Sequence, residues 1–229
     1  MAAGKCVVLL SGGLDSATAA AVAKSRELSL FALTFVYGQR HDIEVDFARK
    51  IANFLHVASH EVINLPDSLF KSSSLIRTSG KEILNYHTDS IPTTYVPARN
   101  IVFLSMALAY AETINATHIF IGVNAVDYSG YPDCRPEFIK AFQKVVQMGT
   151  KSGIKGNPII IETPLINLTK GEIIKLGISL GMDYSLTSSC YNPQIDGTPC
   201  GVCDSCRIRQ KGFSEAGIPD PALHRNYGK

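Results

Sequence analysis

Two groups of residues in this 229-residue chain have the types and spacing of chemistry. The first is Ser11-Gly12-Gly13-Leu14-Asp15-Ser16, preceded by an apolar run ending at Leu10 and followed by Ala17-Thr18-Ala19-Ala20. Paired glycines reach backbone conformations closed to other residues, so successive N–H groups can converge on an anion. The helix expected behind them adds a partial positive charge at its N-terminus. Ser11 and Ser16 offer hydroxyls to phosphate oxygens. Asp15 would repel a phosphate directly, so its use is through Mg²⁺ bridging carboxylate and phosphate. Nucleotide contacts are therefore expected along Leu10 to Ala20. A plain strand–turn–helix joint capped by Asp15 or Ser16 explains a glycine pair, but not the whole hexapeptide. Neither GxxxxGK[ST] nor GxGxxG occurs, which excludes the common P-loop and dinucleotide-binding readings.

The second group is Cys190-x9-Cys200-x2-Cys203-x2-Cys206. Two-residue gaps let a tight turn present neighbouring sulfurs to one ion, and Gly201 gives the first gap backbone freedom. With four thiolates around it, Zn²⁺ would be structural, with no open position for a catalytic water. An iron–sulfur cluster competes, since C-x2-C-x2-C also occurs in ferredoxins. The upstream fourth cysteine and the lack of a following C-P favour zinc. Cys6 and Cys134 stand alone.

The elements that must position these groups alternate strand and helix. Strands are expected at Lys5–Leu10, Leu28–Val36, Ser59–Asn64, Thr117–Val123 and Pro158–Ile161. Helices are expected at Ser16–Lys24, Asp42–His56, Asn100–Asn115, Pro136–Gly149 and Thr169–Leu180. Thr169 with Glu172 is a capping-box signature. Near-continuous apolar strands joined by helices predict a doubly wound, mainly parallel α/β sheet. Residues 1–185 would form that nucleotide-binding domain, and 186–229 a small zinc-binding segment packed on it. Pro66 to Pro97, rich in Ser and Thr, is longer than an ordinary connection and reads as a lid or binding loop.

Composition narrows the class. Hydrophobic residues make up 45% and charged ones 18%, so there is enough apolar material for a core. A formal net charge of +2 supplies no electrostatic reason for a nucleic-acid partner. The longest apolar stretch, Ile101 to Ala111, is interrupted by Ser105 and falls short of the roughly 20 residues a membrane helix needs. Met1 to Gly13 carries no secretory signature. A cytoplasmic protein without a membrane partner is expected.

Three further stretches fall at the carboxyl edge of the expected sheet, where doubly wound folds bind ligands. Tyr37-Gly38-Gln39-Arg40-His41 follows the second strand. Val96-Pro97-Ala98-Arg99-Asn100 precedes a helix. Asn124-Ala125-Val126-Asp127-Tyr128-Ser129-Gly130-Tyr131-Pro132-Asp133-Cys134-Arg135 follows the fourth strand. Asn124, Asp127 and Asp133 suit a purine-like edge, because a carboxylate accepts from both an amino group and a ring N–H. Arg99 and Arg135 suit phosphate or carboxylate by their fork geometry. The ordinary reading of each is also open: Asn100 and Asp127 as caps or turns, Arg99 as a solvated residue.

The hexapeptide resembles the PP-loop of N-type ATP pyrophosphatases, which implies an adenine nucleotide alpha hydrolase-like sheet and a substrate oxygen activated by ATP. All five motifs, in this order along the chain, closely resemble the 7-cyano-7-deazaguanine synthases of queuosine biosynthesis. That resemblance implies a ligase converting 7-carboxy-7-deazaguanine and ammonia, with ATP and Mg²⁺, into the nitrile, together with bound zinc and a homodimer. Under it, Asp15, Ser16 and Arg99 are the expected catalytic group. Tyr37, Gln39, Asn100, Asn124, Asp127, Asp133 and Arg135 are the expected substrate contacts, and Cys190, Cys200, Cys203 and Cys206 the metal ligands. A tRNA-thiolating relative is the alternative, with Cys134 carrying sulfur and Arg135 lowering its pKa. A nucleotide-sensing module with a zinc tail is a third, non-enzymatic reading.

Overall fold

Each apolar run read from the sequence supplies one strand of a single sheet. In the computed structural model, which describes residues 3–40, 43–83, 91–126, 131–194 and 197–224, these are β1 (Lys5–Leu9), β2 (Ser29–Val36), β3 (Ser59–Asn64), β4 (His118–Phe120) and β5 (Ile160–Glu162). The order is β3-β2-β1-β4-β5 and every pairing is parallel. The chain adds β2 and β3 on one side of β1, then crosses to add β4 and β5 on the other. The carboxyl ends of β1 and β4 therefore flank a topological switch point, where such sheets open a crevice.

Alternation along β1 sends side chains to two cores. Cys6 and Val8 face α1 (Leu14–Ser25), α2 (Ile43–Phe54), α6 (Lys170–Ser179) and α7 (Asp204–Ala216). Val7 and Leu9 face α3 (Arg99–Ile114) and α4 (Pro136–Gly149), with the one-turn α5 (Lys151–Ile154) after it. β4 is shorter than expected. It pairs over three residues with β1 on one side and β5 on the other, after which the chain leaves the sheet and Gly122 to Asn124 turn into the crevice.

α7 was not foreseen, because its sequence is polar and carries Gly212 at mid-helix, where glycine costs about 1 kcal/mol. Tertiary packing overrides that cost. A Cβ on Gly212 would lie 2.3 Å from the Lys170 Cγ, so the missing side chain is what lets α7 lie close on α6. Phe213 joins the first core, and Arg209 makes a bidentate pair with Asp220 at 2.8 and 2.9 Å, both buried.

The described part of Pro66 to Pro97 is anchored, not free-standing. Phe70 and Ile76 are buried in the second core, and only Leu75 of this stretch reaches the crevice. Among the described residues, no helix is long and apolar enough to cross a membrane.

The capping box at α6 forms as expected. The Thr169 hydroxyl accepts from the Glu172 N–H at 3.3 Å, and the Glu172 carboxylate accepts from the Thr169 N–H at 2.8 Å. Thr169→Ala should lower stability by about 1 kcal/mol in urea titration. Loss of less than about 0.3 kcal/mol would remove the cap from the account of this helix.

Candidate active site

The crevice is a cleft of about 260 Å³ over the carboxyl ends of β1, β2 and β4. Ser11, Gly13, Leu14, Asp15 and Ser16 form its floor, and Leu10 lines it. The loop is tied to itself. The Ser16 hydroxyl accepts from the Ser11 N–H at 3.2 Å and donates to the Gly13 carbonyl at 3.0 Å, and the Ser11 hydroxyl accepts from the Gly13 N–H at 3.3 Å. Gly12 takes φ +83°, and a Cβ there would stand 2.4 Å from the Glu44 carbonyl oxygen. Only glycine permits this turn so close to α2.

Of the residues expected to contact nucleotide, Gly12 and those after Ser16 do not line the cleft. Ala17, Thr18, Ala19 and Ala20 are buried and do not reach the cleft. Their small side chains let α1 lie between the sheet and α6, and the Thr18 hydroxyl bonds the Leu14 carbonyl and the Tyr184 hydroxyl.

Asp15 has a partner that sequence reasoning missed. Both of its carboxylate oxygens accept from Lys170 Nζ, at 2.7 and 2.8 Å, and the lysine side chain is only 6% exposed. Nothing in the local sequence marks Lys170 beyond its place at the start of a capped helix. A second wall was also missed: Ser188, Ser189 and Tyr191 line the cleft beside Cys190, and the Ser188 N–H donates to the Gly12 carbonyl at 2.9 Å.

Tyr37, Gln39, Arg99, Asn100 and Asn124 all line the cleft. Arg99 begins α3 behind Ala98, whose left-handed φ of 53° turns the chain into the helix. The guanidinium donates to the Tyr37 hydroxyl at 3.4 Å. Gln39 is locked, accepting from the Tyr37 N–H at 2.8 Å and donating to the Phe35 carbonyl at 3.1 Å. Asn124 donates to the Leu165 and Leu168 carbonyls, which ties this wall to the approach to α6.

Two residues expected to contact substrate do not line the cleft, and a third lies outside the described residues. Asp133 does not line the cleft; its buried carboxylate accepts from the Asn100 N–H at 2.9 Å and caps α3. Arg135 also stands outside, donating to the Pro132 carbonyl at 3.2 Å. Asp127 lies outside the described residues.

Glu44, in the first turn of α2, is the acidic residue the sequence reading overlooked. The available signal was its position just after Tyr37-Gly38-Gln39-Arg40-His41, at the sheet's carboxyl edge. Burial pushes its carboxyl up to about 7, while the Arg99 charge and a hydrogen bond from Gln39 hold it from going further. A raised carboxyl favours the folded state when protonated. This stabilisation is complete below about pH 4.5 and is lost as pH rises through about 7. Cys134 also lines the cleft, but burial and the Asp133 charge push its thiol up to about 11 against the opposing effect of Arg99. With Arg135 turned away, Arg99 is the cation that opposes this rise, and the raised thiol does not favour the sulfur-transfer alternative.

The four cysteine sulfurs lie within 4.8 Å of one another, and the Cys200–Cys206 pair is 4.0 Å apart. A tetrahedral ion with bonds of about 2.3 Å would hold sulfurs about 3.8 Å apart, so the donor set fits a metal with little movement. Backbone N–H groups of Asn192 and Cys200 point at the Cys190 sulfur, at 3.3 and 3.2 Å, and that of Cys203 at the Cys200 sulfur, at 3.4 Å. Such donors stabilise thiolate charge.

Comparison with known proteins identifies the fold and the family. Solved structures of similar fold include an NMN synthetase from Francisella tularensis, with TM-score 0.51 and 19% identity over 97% of this chain and 82% of that one. A 4-thiouridine synthetase solved with RNA and bound ATP gives TM-score 0.55 and 18% identity over 93% of this chain and 50% of that one. Curated relatives named 7-cyano-7-deazaguanine synthase are much nearer in sequence. The one from Magnetococcus marinus is 55% identical over 96% of both chains. That from Saccharophagus degradans is 52% identical over 97% of this chain and 98% of its own. The family model described as queuosine biosynthesis protein QueC matches residues 5–217, a span that includes the phosphate loop, the cleft and all four clustered cysteines. The chain belongs to the QueC family.

Proposed function

We propose that this chain is an ATP-dependent ligase that converts 7-carboxy-7-deazaguanine and ammonia into 7-cyano-7-deazaguanine. One observation carries the reading: in a QueC-family chain, the phosphate loop opens into the same cleft as Arg99, Asn100 and the Tyr37–Gln39 turn. A carboxylate is a poor electrophile, because displacement would expel oxide. Transfer of a phosphoryl or adenylyl group from ATP makes that oxygen a leaving group, ammonia then yields the amide, and a second activation of the amide oxygen permits loss of water to the nitrile. Such chemistry needs positioning and charge stabilisation more than a protein nucleophile.

In this reading Ser11, Gly13 and Ser16 hold the phosphates, and Arg99 holds the carboxylate or phosphates by its fork. Asp15 keeps lone pairs beyond those given to Lys170, enough to share Mg²⁺ carried in with ATP. Cys190, Cys200, Cys203 and Cys206 hold one structural Zn²⁺. Ammonia as donor and a homodimeric active species follow from the family resemblance, and a cytoplasmic setting from the sequence reading.

The test is mass spectrometry of a reaction containing purified protein, Mg-ATP, ammonium and 7-carboxy-7-deazaguanine. The nitrile is the expected product, and Cys134→Ser should leave its rate within about threefold. No nitrile despite demonstrated ATP binding would discard the substrate. Abolition by Cys134→Ser would turn the reading toward sulfur transfer.

A further inference from the structure

Conversion of a carboxylate to a nitrile strips the incoming nitrogen of every proton. When ammonia adds to the activated carboxyl, the C–N bond forms, the C–O bond to the phosphate or adenylate breaks with its electron pair leaving on oxygen, and the nitrogen sheds one proton to give the amide. When the amide oxygen then attacks a phosphorus of ATP, a P–O bond forms, pyrophosphate or ADP leaves, and nitrogen sheds a second proton to give an imidate. Breaking the remaining C–O bond releases the third proton and closes the C≡N bond. Three N–H protons must go to a nearby acceptor, and phosphates bound as leaving groups are held by the loop.

The described residues that line the cleft include two carboxylates. Asp15 has both oxygens on Lys170. Glu44 is the other. It projects from α2 at the point where Gly12 of the phosphate loop packs on the helix backbone, so it stands beside the bound phosphates of this reading. The Arg99 charge faces it from α3, and Gln39, itself locked to the backbone at the end of β2, donates to it. With Arg99 on the reacting carboxyl, one of the two placements its fork allows, Glu44 stands on the side of the cleft where nitrogen arrives.

We propose that Glu44 is the catalytic proton acceptor for the substrate nitrogen, taking its N–H protons one at a time and releasing each to water before the next, as the amide and then the nitrile form. The inference rests on the ligase reading above. The groups around it leave this role open. Arg99 from α3 keeps its charge at any working pH, and Arg40 after β2 lines the same cleft. Burial raises the Tyr37 phenol and pushes the Cys134 thiol up to about 11, so both stay neutral near pH 7, and Tyr131 completes that wall. Across the floor lies the Asp15–Lys170 pair. Glu44 titrates close to neutrality, where a general base combines the ionised form with useful basicity.

The experiment uses the full chain and starts separately from the carboxylate with ammonium and from the corresponding amide, each with Mg-ATP. For Glu44→Gln, kcat from the amide to the nitrile should fall about 10²–10⁴-fold. The KM for the amide should change less than about threefold, and the acid limb of the wild-type kcat/KM profile, near pH 7, should vanish. Glu44→Asp should recover part of the rate and restore that limb, which a merely structural role would not do. A Glu44→Gln chain with wild-type kcat and an intact acid limb overturns the inference. So does a raised KM at unchanged kcat, which would assign Glu44 to recognition of the base edge instead. A wild-type chain that makes no nitrile from either substrate overturns the ligase reading, and this inference with it.

Discussion

Lys170→Met should lower kcat/KM for ATP at least about a hundredfold, because it unmasks a negative charge at the mouth of the phosphate loop. Lys170 neutralises Asp15 through two contacts of 2.7 and 2.8 Å in a site where its own side chain is 6% exposed. Methionine keeps the length of the side chain and its packing over Gly212 but removes the ammonium. Two unit charges about 5 Å apart at an effective dielectric of about 20 interact by about 3 kcal/mol, and each 1.36 kcal/mol is a factor of ten. Asp15 would then repel the phosphates that the loop is built to attract. Steady-state kinetics against ATP concentration gives the answer, and the double variant Asp15→Asn/Lys170→Met should recover part of the loss. Wild-type kinetics for Lys170→Met would remove the pair from the account. Asp15→Asn alone should also reduce turnover well beyond threefold if the carboxylate shares Mg²⁺.

Removal of the metal proposed at the four cysteines should lower Tm by about 10–20 °C and weaken ATP binding at the same time. The stability part follows from size: the cysteine cluster is a small group with Tyr191 as its one packed aromatic, separate from both main cores. Coordination would supply most of its order. A loss of about 5 kcal/mol in a domain this large corresponds to about 2–4 °C per kcal/mol. The binding part follows from position, since Ser188, Ser189, Cys190 and Ser205 are walls of the nucleotide cleft. Metal analysis should find about one zinc per chain, and a brown, iron-bearing preparation would reject zinc. Calorimetry of metal-free protein with ATP separates the two effects. A large drop in Tm with unchanged ATP affinity would reduce the segment to a remote staple.

What the sequence disclosed was whatever is encoded locally. All five strands came from apolar runs, and the phosphate loop and the α6 cap came from contiguous residues with one purpose each. What stayed hidden depends on distant partners. Lys170 looks like any first-turn lysine until Asp15, 155 positions away, is folded against it. Asp133 has the chemistry of a base reader, yet its place beside the first turn of α3 gives its carboxylate to a helix N–H instead. Glu44 sits in a strongly amphipathic helix, and only the close approach of Gly12 puts that helix end at the cleft. α7 was concealed by its own glycine, which is unfavourable in isolation and necessary against α6.

The separation of Asp15 from Lys170 also sets a schedule. During synthesis the phosphate loop leaves the ribosome early, and its lysine partner is made 155 residues later. At about 5–20 residues per second, that delay is roughly 8–30 s. The cleft walls at Ser188 to Tyr191 come later still. Throughout this interval the nascent chain carries a glycine loop and an uncompensated aspartate, but no cleft. The cleft is therefore complete only after residue 191 is made, and a stalled chain ending before residue 170 should be blind to ATP.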